Sequence, residues 1–284
     1  MPTLALVLLF LSASMHALWN FLLKSAEEKF VAMGWQTILS GAFAFVILLF
    51  TGMPPKEMWG FAIISMFLEA IYFILLSTAY TSHDFSLVYP IARGAAPAML
   101  VLWTAIFLNE RLTIGGYIGL GMITLGIMSI GATTLLKSKG EKIHIKGILT
   151  ALLVALIISV YTFVDGKAVR GGPVLSYGLF MFSMIPFITT PYIAFHYGVD
   201  SFKRVWMKNR NYLLVGGGLG LVAYMLALFA YTFAPLSYSG AIREVSAVIG
   251  AFLGWRFLKE QMGGVRVFGS VIVFAGVMVI AIFG

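Results

Sequence analysis

Residues 93–110 read RGAAPAMLVLWTAIFLNE, and residues 243–260 read REVSAVIGAFLGWRFLKE. Each stretch opens on an arginine, closes on a glutamate and is mostly apolar between, the composition of a helix surrounded by lipid. At this offset of 150 positions Arg93 meets Arg243, Phe107 and Leu108 meet Phe257 and Leu258, and Glu110 meets Glu260. The register continues downstream, where Gly119 meets Gly269, Gly126 meets Gly276 and Met128 meets Met278. Upstream, with a one-residue shift, Ala79, Tyr80 and Thr81 match Ala230, Tyr231 and Thr232. Self-similarity over three consecutive spans points to a duplicated unit, and the rest of the chain fits two of them.

Apolar residues make up 61% of the 284 and charged residues 11%, against about 45–50% and about 25% in soluble domains. A water-soluble globule is excluded, because too little polar sequence remains to coat its surface. The absence of cysteine excludes disulfides, thiolate metal sites and thiol nucleophiles. The net charge of +8 sits in short clusters between apolar runs, as in loops facing an anionic leaflet, so no nucleic-acid partner is expected.

A crossing helix needs about 20 mainly apolar residues. Breaking the sequence at its charged and Pro/Gly positions predicts ten spans, near 3–23, 30–52, 58–81, 85–108, 114–136, 147–167, 174–197, 211–233, 236–258 and 264–283. The expected fold is an all-α membrane protein of ten transmembrane helices: a five-helix repeat over 1–136, a basic connecting loop at 137–146, and a second repeat over 147–284. Because five is odd, the second repeat enters the membrane inverted, the usual basis of alternating access around a site near the midplane. The first span lacks the basic leader of a signal peptide and is read as a crossing helix. The loops after odd-numbered spans hold thirteen Lys and Arg, whereas the other side holds only Lys56, Arg111, Lys167 and Arg170. That asymmetry places the odd loops in the cytoplasm and both termini outside a cell (inner) membrane.

Charges inside a bilayer are costly and normally face a cavity or a partner. Arg93, Arg243, Glu69 and Glu244 fall within predicted spans, while Asp165 lies closer to the end of one, where an interfacial place is expected. Pro90 and Pro97 around Arg93 remove backbone hydrogen bonds, so the fourth span is predicted to bend or break there. Tyr89, Arg93 and Pro97 share one helix face, as do Ser239, Arg243 and Ser246 in the second half. Two pseudo-symmetric arginines are thus predicted to converge on the membrane centre. A guanidinium fork suits carboxylate, phosphate or phosphonate; the alternative is that each arginine is neutralised by an acid and ties the halves together. Glu69 and Glu244 have no acidic counterpart in the other half, which favours coupling or specificity over duplicated scaffolding.

In the first span Ser12, His16, Trp19 and Asn20 share a face. His16 is an isolated imidazole without ligand spacing, more consistent with a core histidine than with a metal site. Trp19, Tyr89 and Tyr231, with Tyr80 and Tyr224, offer a cavity lining or a cage for a cation, with packing as the alternative. The candidate substrate contacts are therefore Arg243, Arg93, Tyr89, Trp19, Asn20, Ser239 and Tyr231. The candidates for coupling or charge pairing are Glu69, Glu244, Asp165 and His16. Gly115 and Gly119, like Gly250 and Gly254, have the spacing of close helix packing, and Glu110 and Glu260 are expected in surface ion pairs.

The sequence resembles the drug/metabolite transporter superfamily, in its ten-helix EamA-type branch. The likeness is carried by His16, Ala17, Trp19, Asn20 and Lys24, by residues 86–93 with Pro97, by residues 108–112, and by Ala234 to Ser237, Ile242 to Glu244 and Leu258 to Glu260. It covers essentially the whole chain. It implies a secondary carrier with a central cavity lined by spans 1, 3, 4, 6, 8 and 9 and with spans 5 and 10 at the periphery, and it leaves the substrate open.

The expected function is alternating-access transport of a small polar metabolite, anionic or zwitterionic, such as an amino acid, organic phosphate or phosphonate, coupled to protons or to a counter-substrate. Export of organic cations or drugs, or lipid flipping, is the alternative on the same fold. A membrane-embedded enzyme is disfavoured, since no paired-acid motif, serine nucleophile motif or histidine ligand set is present. The expected partners are the small molecule and the bilayer, the protein acting as a monomer without cofactor or metal.

Overall fold

The computed structural model describes residues 1–81, 85–137, 145–258 and 264–284, with side chains except at 24, 76–81, 85–90, 130–137, 145–147, 258 and 266. Among the described residues the chain forms twelve α-helices and no strand. In the first half these are α1 (Thr3–Lys24), α2 (Lys29–Thr51), α3 (Trp59–Thr81), α4 (Phe85–Leu108) and α5 (Ile114–Lys137). The second half has α6 (Ile145–Arg170), α7 (Val174–Met184), α8 (Pro186–Tyr197), α9 (Val199–Tyr231), α10 (Leu236–Arg243), α11 (Val245–Leu258) and α12 (Gly264–Phe283). Among the described residues seven stretches are long and apolar enough to cross a membrane, α7 and α8 counting together as one. Ile114–Ser129 and Val267–Phe283 are shorter apolar segments of α5 and α12. Phe50, Ile106, Phe195 and Phe268 are among many large apolar side chains exposed on the outer face, where a hydrocarbon solvent removes the penalty that water would impose.

The boundaries follow the sequence, with four differences. The seventh span is two helices, because Pro186 has no backbone N–H to donate and its ring crowds the preceding turn; the chain turns at Ile185. The ninth span is broken at Glu244, whose N–H bonds Ala241 in a tight three-residue turn. α4, in contrast, runs on through Pro90 and Pro97, so the interruption expected around Arg93 occurs instead at the equivalent place in the second half. Finally, α9 begins twelve residues before the predicted span and runs for 33 residues, roughly 50 Å, which exceeds a hydrocarbon core of about 30 Å. Its basic first turns are held by Trp35, whose Nε1 donates to the Phe202 carbonyl at 2.9 Å and whose ring lies 4.6 Å from that of Trp206.

The halves meet symmetrically at α5 and α12. A Cβ on Gly119 would stand 2.7 Å from the Gly276 carbonyl oxygen, and one on Gly126 would stand 2.7 Å from that of Gly269. Gly119 and Gly269 are repeat equivalents, as are Gly126 and Gly276, so each glycine touches the equivalent of the other. Such crosswise contact is what a two-fold axis between the repeats produces. Gly115 joins this contact against Phe283, whereas Gly250 faces open space.

Counting crossings gives the bundle two ends. One, the basic end, carries Lys24, Lys29, Arg204 and Lys208. The other carries Glu110, Arg170 and both termini, where the Met1 ammonium lies 3.5 Å from the Gly284 carbonyl. The basic connecting loop at 137–146 and Glu260 lie largely outside the described residues.

Candidate functional site

A cavity of about 60 Å³, room for a few waters, lies between α1, α2, α3, α6, α7, α9 and α10. Its wall combines His16 and Trp19 of α1, Glu69 and Tyr72 of α3, Tyr161 of α6, Tyr224 of α9 and Arg243 at the end of α10. Helix packing puts these side chains together because each belongs to the polar or aromatic stripe of an otherwise apolar helix, and lipid gives such a stripe no outward partner. α5 and α12 contribute nothing to this wall. The list of helices differs from expectation: α2 and α7 line the cavity, while α4 faces a second, smaller one.

Arg243 is the central cation. Its Nη1 donates to the Tyr231 hydroxyl at 2.6 Å, and its guanidinium stands 5.0 Å from the centre of the Tyr224 ring. It makes no salt bridge among the described residues. A guanidinium has five N–H donors, so this one retains capacity for an anionic group. Besides Glu244, which pairs with Arg93, two acids lie within its electrostatic reach. Glu69 is buried beside the Tyr224 hydroxyl. Asp165 is fully buried and not interfacial as its position in the sequence suggested: it accepts from Tyr177 Oη at 2.5 Å and from Tyr224 Oη. Placed one turn or more inside the end of α6, it staples α6, α7 and α9 together between the cavity and the Glu110 end.

Arg93 is different from its pseudo-symmetric mate. Its Nε lies 3.0 Å from Glu244 Oε2, and its Nη2 donates to Ser246 Oγ at 3.0 Å. The pair is almost completely buried and spans the two halves. Both arginines reach the smaller cavity, about 20 Å³, with Ser159 and Thr162 on its α6 side. Arg243 and Tyr161 border both spaces and so form the partition between them.

The other candidates divide. Trp19 is a cavity wall, with its indole 5.4 Å from the His16 ring. Tyr231 acts through Arg243. Asn20 bonds the carbonyl of His16 on its own helix at 2.8 Å, and Ser239 Oγ bonds the Pro235 carbonyl at 2.9 Å; neither lines the cavity. The Tyr89 side chain lies outside the described residues. Gln36, Thr37 and Ser40 of α2, and Phe182 and Ile185 at the α7–α8 turn, line the site without having been singled out. Polar residues at 36, 37 and 40 in an otherwise apolar span were the available signal, since those spacings share a helix face. The Gln36 amide oxygen is buried without a hydrogen-bond partner among the described residues. No group of three His, Asp or Glu suited to a metal gathers among them.

Glu110 is not a surface pair. It follows α4 and accepts from the Leu236 and Ser237 N–H groups, the Ser237 hydroxyl and Arg170. Burial pushes its carboxyl up, but the Leu236 N–H, Arg170 and Ser237 outweigh that and hold it below the usual carboxylate range.

The model of the EamA-like transporter family matches the chain twice, over residues 3–132 and 145–282, one match to each half. A solved crystal structure, described only as that of a protein, superposes with a TM-score of 0.73 over 98% of this chain and 95% of its own, at 17% identity; the likeness is one of fold. No curated protein matches.

Proposed function

The chain belongs to the EamA-like transporter family and is a multi-pass membrane protein of two inverted repeats, and from that premise we propose that it is a secondary carrier of a small anionic or zwitterionic metabolite. The observation that carries the substrate class is Arg243: a guanidinium at a central cavity, held by a tyrosine hydroxyl and an aromatic face and by no carboxylate among the described residues. Arg93, neutralised by Glu244, serves as the control, a buried arginine whose charge is already spent. The acceptor side of the same cavity, Glu69 with the Gln36 oxygen that has no hydrogen-bond partner among the described residues, suits an ammonium or N–H group of a zwitterion. Glu69 and Asp165 are the coupling candidates. Both lie near a guanidinium that makes no salt bridge among the described residues, so the site's charge balance changes when an anion occupies Arg243, which is what coupling to protons or to a counter-substrate requires. Transport runs across the cell (inner) membrane with the basic end cytoplasmic, as the Lys and Arg distribution favours.

One observation supports the cation reading: Glu69 stands among Tyr72, Tyr161 and Tyr224, with Asp165 behind Tyr224, a wall that also suits an organic cation. A melting screen of the purified protein against amino acids, organic phosphates, phosphonates and organic cations, at two pH values, separates the two. Binding to the native state raises the melting temperature, by about 2.7 kcal/mol of stabilisation at a hundredfold excess over Kd. Stabilisation by anions or zwitterions, lost in Arg243→Ala while that variant still melts cooperatively, is expected. Stabilisation by cations alone, or an undiminished anion response in Arg243→Ala, overturns the anion site.

A further inference from the structure

We propose that Glu110 is the latch that keeps its end of the transport path shut and, through α10, positions Arg243. The inference rests on the transport reading above and gives it a moving part. Glu110 belongs to the first half and grips two segments of the second. Its Oε1 accepts from the Leu236 N–H at 2.9 Å and from Arg170 Nη2 at 2.7 Å; its Oε2 accepts from the Ser237 N–H at 3.2 Å and the Ser237 hydroxyl at 2.9 Å. Arg170 continues the grip, donating from Nε to the Tyr231 carbonyl at 3.1 Å and from Nη2 to the Ala234 carbonyl at 2.9 Å. One carboxylate therefore fixes the end of α4, the end of α6 and the junction of α9 with α10.

The position in the fold gives this cluster its consequence. α10 has only eight residues, about 12 Å; Glu110 holds its first turn and Arg243 is its last residue. Beyond Arg243 the chain breaks at Glu244, so α10 is a short lever with a joint at its inner end. The main cavity lies between Arg243 and the basic end, where its wall includes Trp19 and Thr37. The opposite end is sealed by the Glu110 cluster, whose glutamate is only 12% exposed. At the basic end the pairs Glu28–Arg204 and Glu27–Lys208 are mostly exposed and count for little. Among the described residues the stronger closure is thus at the Glu110 end. Freeing Glu110 lets α10 swing, opens that end and carries Arg243 with it.

The chain has no cysteine, so a single introduced thiol reports accessibility without background. Thr162→Cys places one in the smaller cavity beside Arg243, about two helical turns from Arg170 along α6; Thr37→Cys places one in the main cavity. Labelling by a polar maleimide is measured on the detergent-solubilised protein without ligand, which makes the result independent of which substrate, if any, Arg243 binds. With Glu110→Ala the Thr162→Cys rate rises by about tenfold or more, the scale of losing charge-assisted hydrogen bonds, and the Thr37→Cys rate falls. Glu110→Gln, which keeps one acceptor oxygen, gives a smaller shift in the same directions. Should Glu110→Ala fail to fold, Arg170→Gln releases the other partner and is expected to shift both reporters likewise. No change at Thr162→Cys, or a rise at both positions, overturns the latch, the latter because it signals a loosened bundle and not an exchange of ends. Failure of the carrier reading appears separately, as absence of ligand stabilisation with the reciprocal labelling intact.

Discussion

At the scale of single residues the two repeat arginines show how environment divides identical side chains. Arg93 and Glu244 neutralise each other in a site with almost no solvent. Removing either partner leaves an uncompensated buried charge, a cost of about 3–5 kcal/mol. Arg93→Met or Glu244→Gln alone should therefore lower the melting temperature strongly, whereas the double variant should recover most of the loss, since a neutral pair of similar volume is often tolerated; additive losses would show that the two residues do not act as a pair. Asp165 accepts two tyrosine hydroxyls. Asp165→Asn keeps one acceptor oxygen and presents an amide N–H₂ to the second tyrosine, with an expected loss of about 1–3 kcal/mol in thermal or denaturant unfolding. These charges were legible as isolated polar letters in apolar runs. Their partners were not, because pairing depends on which residue of the opposite half arrives at the same depth, and no periodicity within one helix encodes that.

At the scale of elements the repeat was readable because duplication leaves letters in register, and the crosswise contact of Gly119 with Gly276 and of Gly126 with Gly269 is its physical form. A methyl group on Gly119 would meet backbone, which cannot turn aside as a flexible side chain does. Gly119→Ala and Gly276→Ala should each cost about 1–3 kcal/mol, the usual range for overpacking. Gly250→Ala is expected to be neutral or to stabilise by up to about 1 kcal/mol, since nothing stands within 4 Å of the added carbon and alanine favours a helix interior. Melting temperatures of the three variants check the contrast, and equal losses in all three would refute the assigned contact. The span boundaries were legible from hydropathy, but the breaks were less so. Proline marked the turn at Ile185, yet α4 carries two prolines without interruption and α10 ends at Glu244 with none. There the turn coincides with the carboxylate that pairs with Arg93, a contact between halves. The polar face of α2 at Gln36, Thr37 and Ser40 was visible in the letters, but only the packing of α2 against α9 turns it into cavity wall.

At the scale of the whole molecule, alternating access requires that one end be closed while the other is open, and among the described residues the two ends carry chemically different contacts. Glu110 is held below its ordinary range by the Leu236 N–H, Arg170 and Ser237 despite its burial. A carboxylate lowered in the folded state contributes stability that is complete above its unfolded value, about 4.3 for glutamate, and is lost as pH falls through its folded value. From pH 5 to 8 the latch therefore stays ionised and its contribution is constant. Labelling at Thr162→Cys, normalised to the same thiol in unfolded protein to remove the maleimide's own pH dependence, should be flat across that range and rise only in stronger acid. A change in ligand affinity or transport between pH 5 and 8 is then expected from His16 and Glu69 at the cavity or from Asp165 behind Tyr224. Glu69→Gln should flatten such a profile, whereas Glu110→Gln should leave its midpoint in place. A Thr162→Cys profile that bends near neutral pH in the native background, and straightens in Glu110→Gln, would mean that the closure itself carries the titrating proton, and would move the pH response from the cavity to the end of the path.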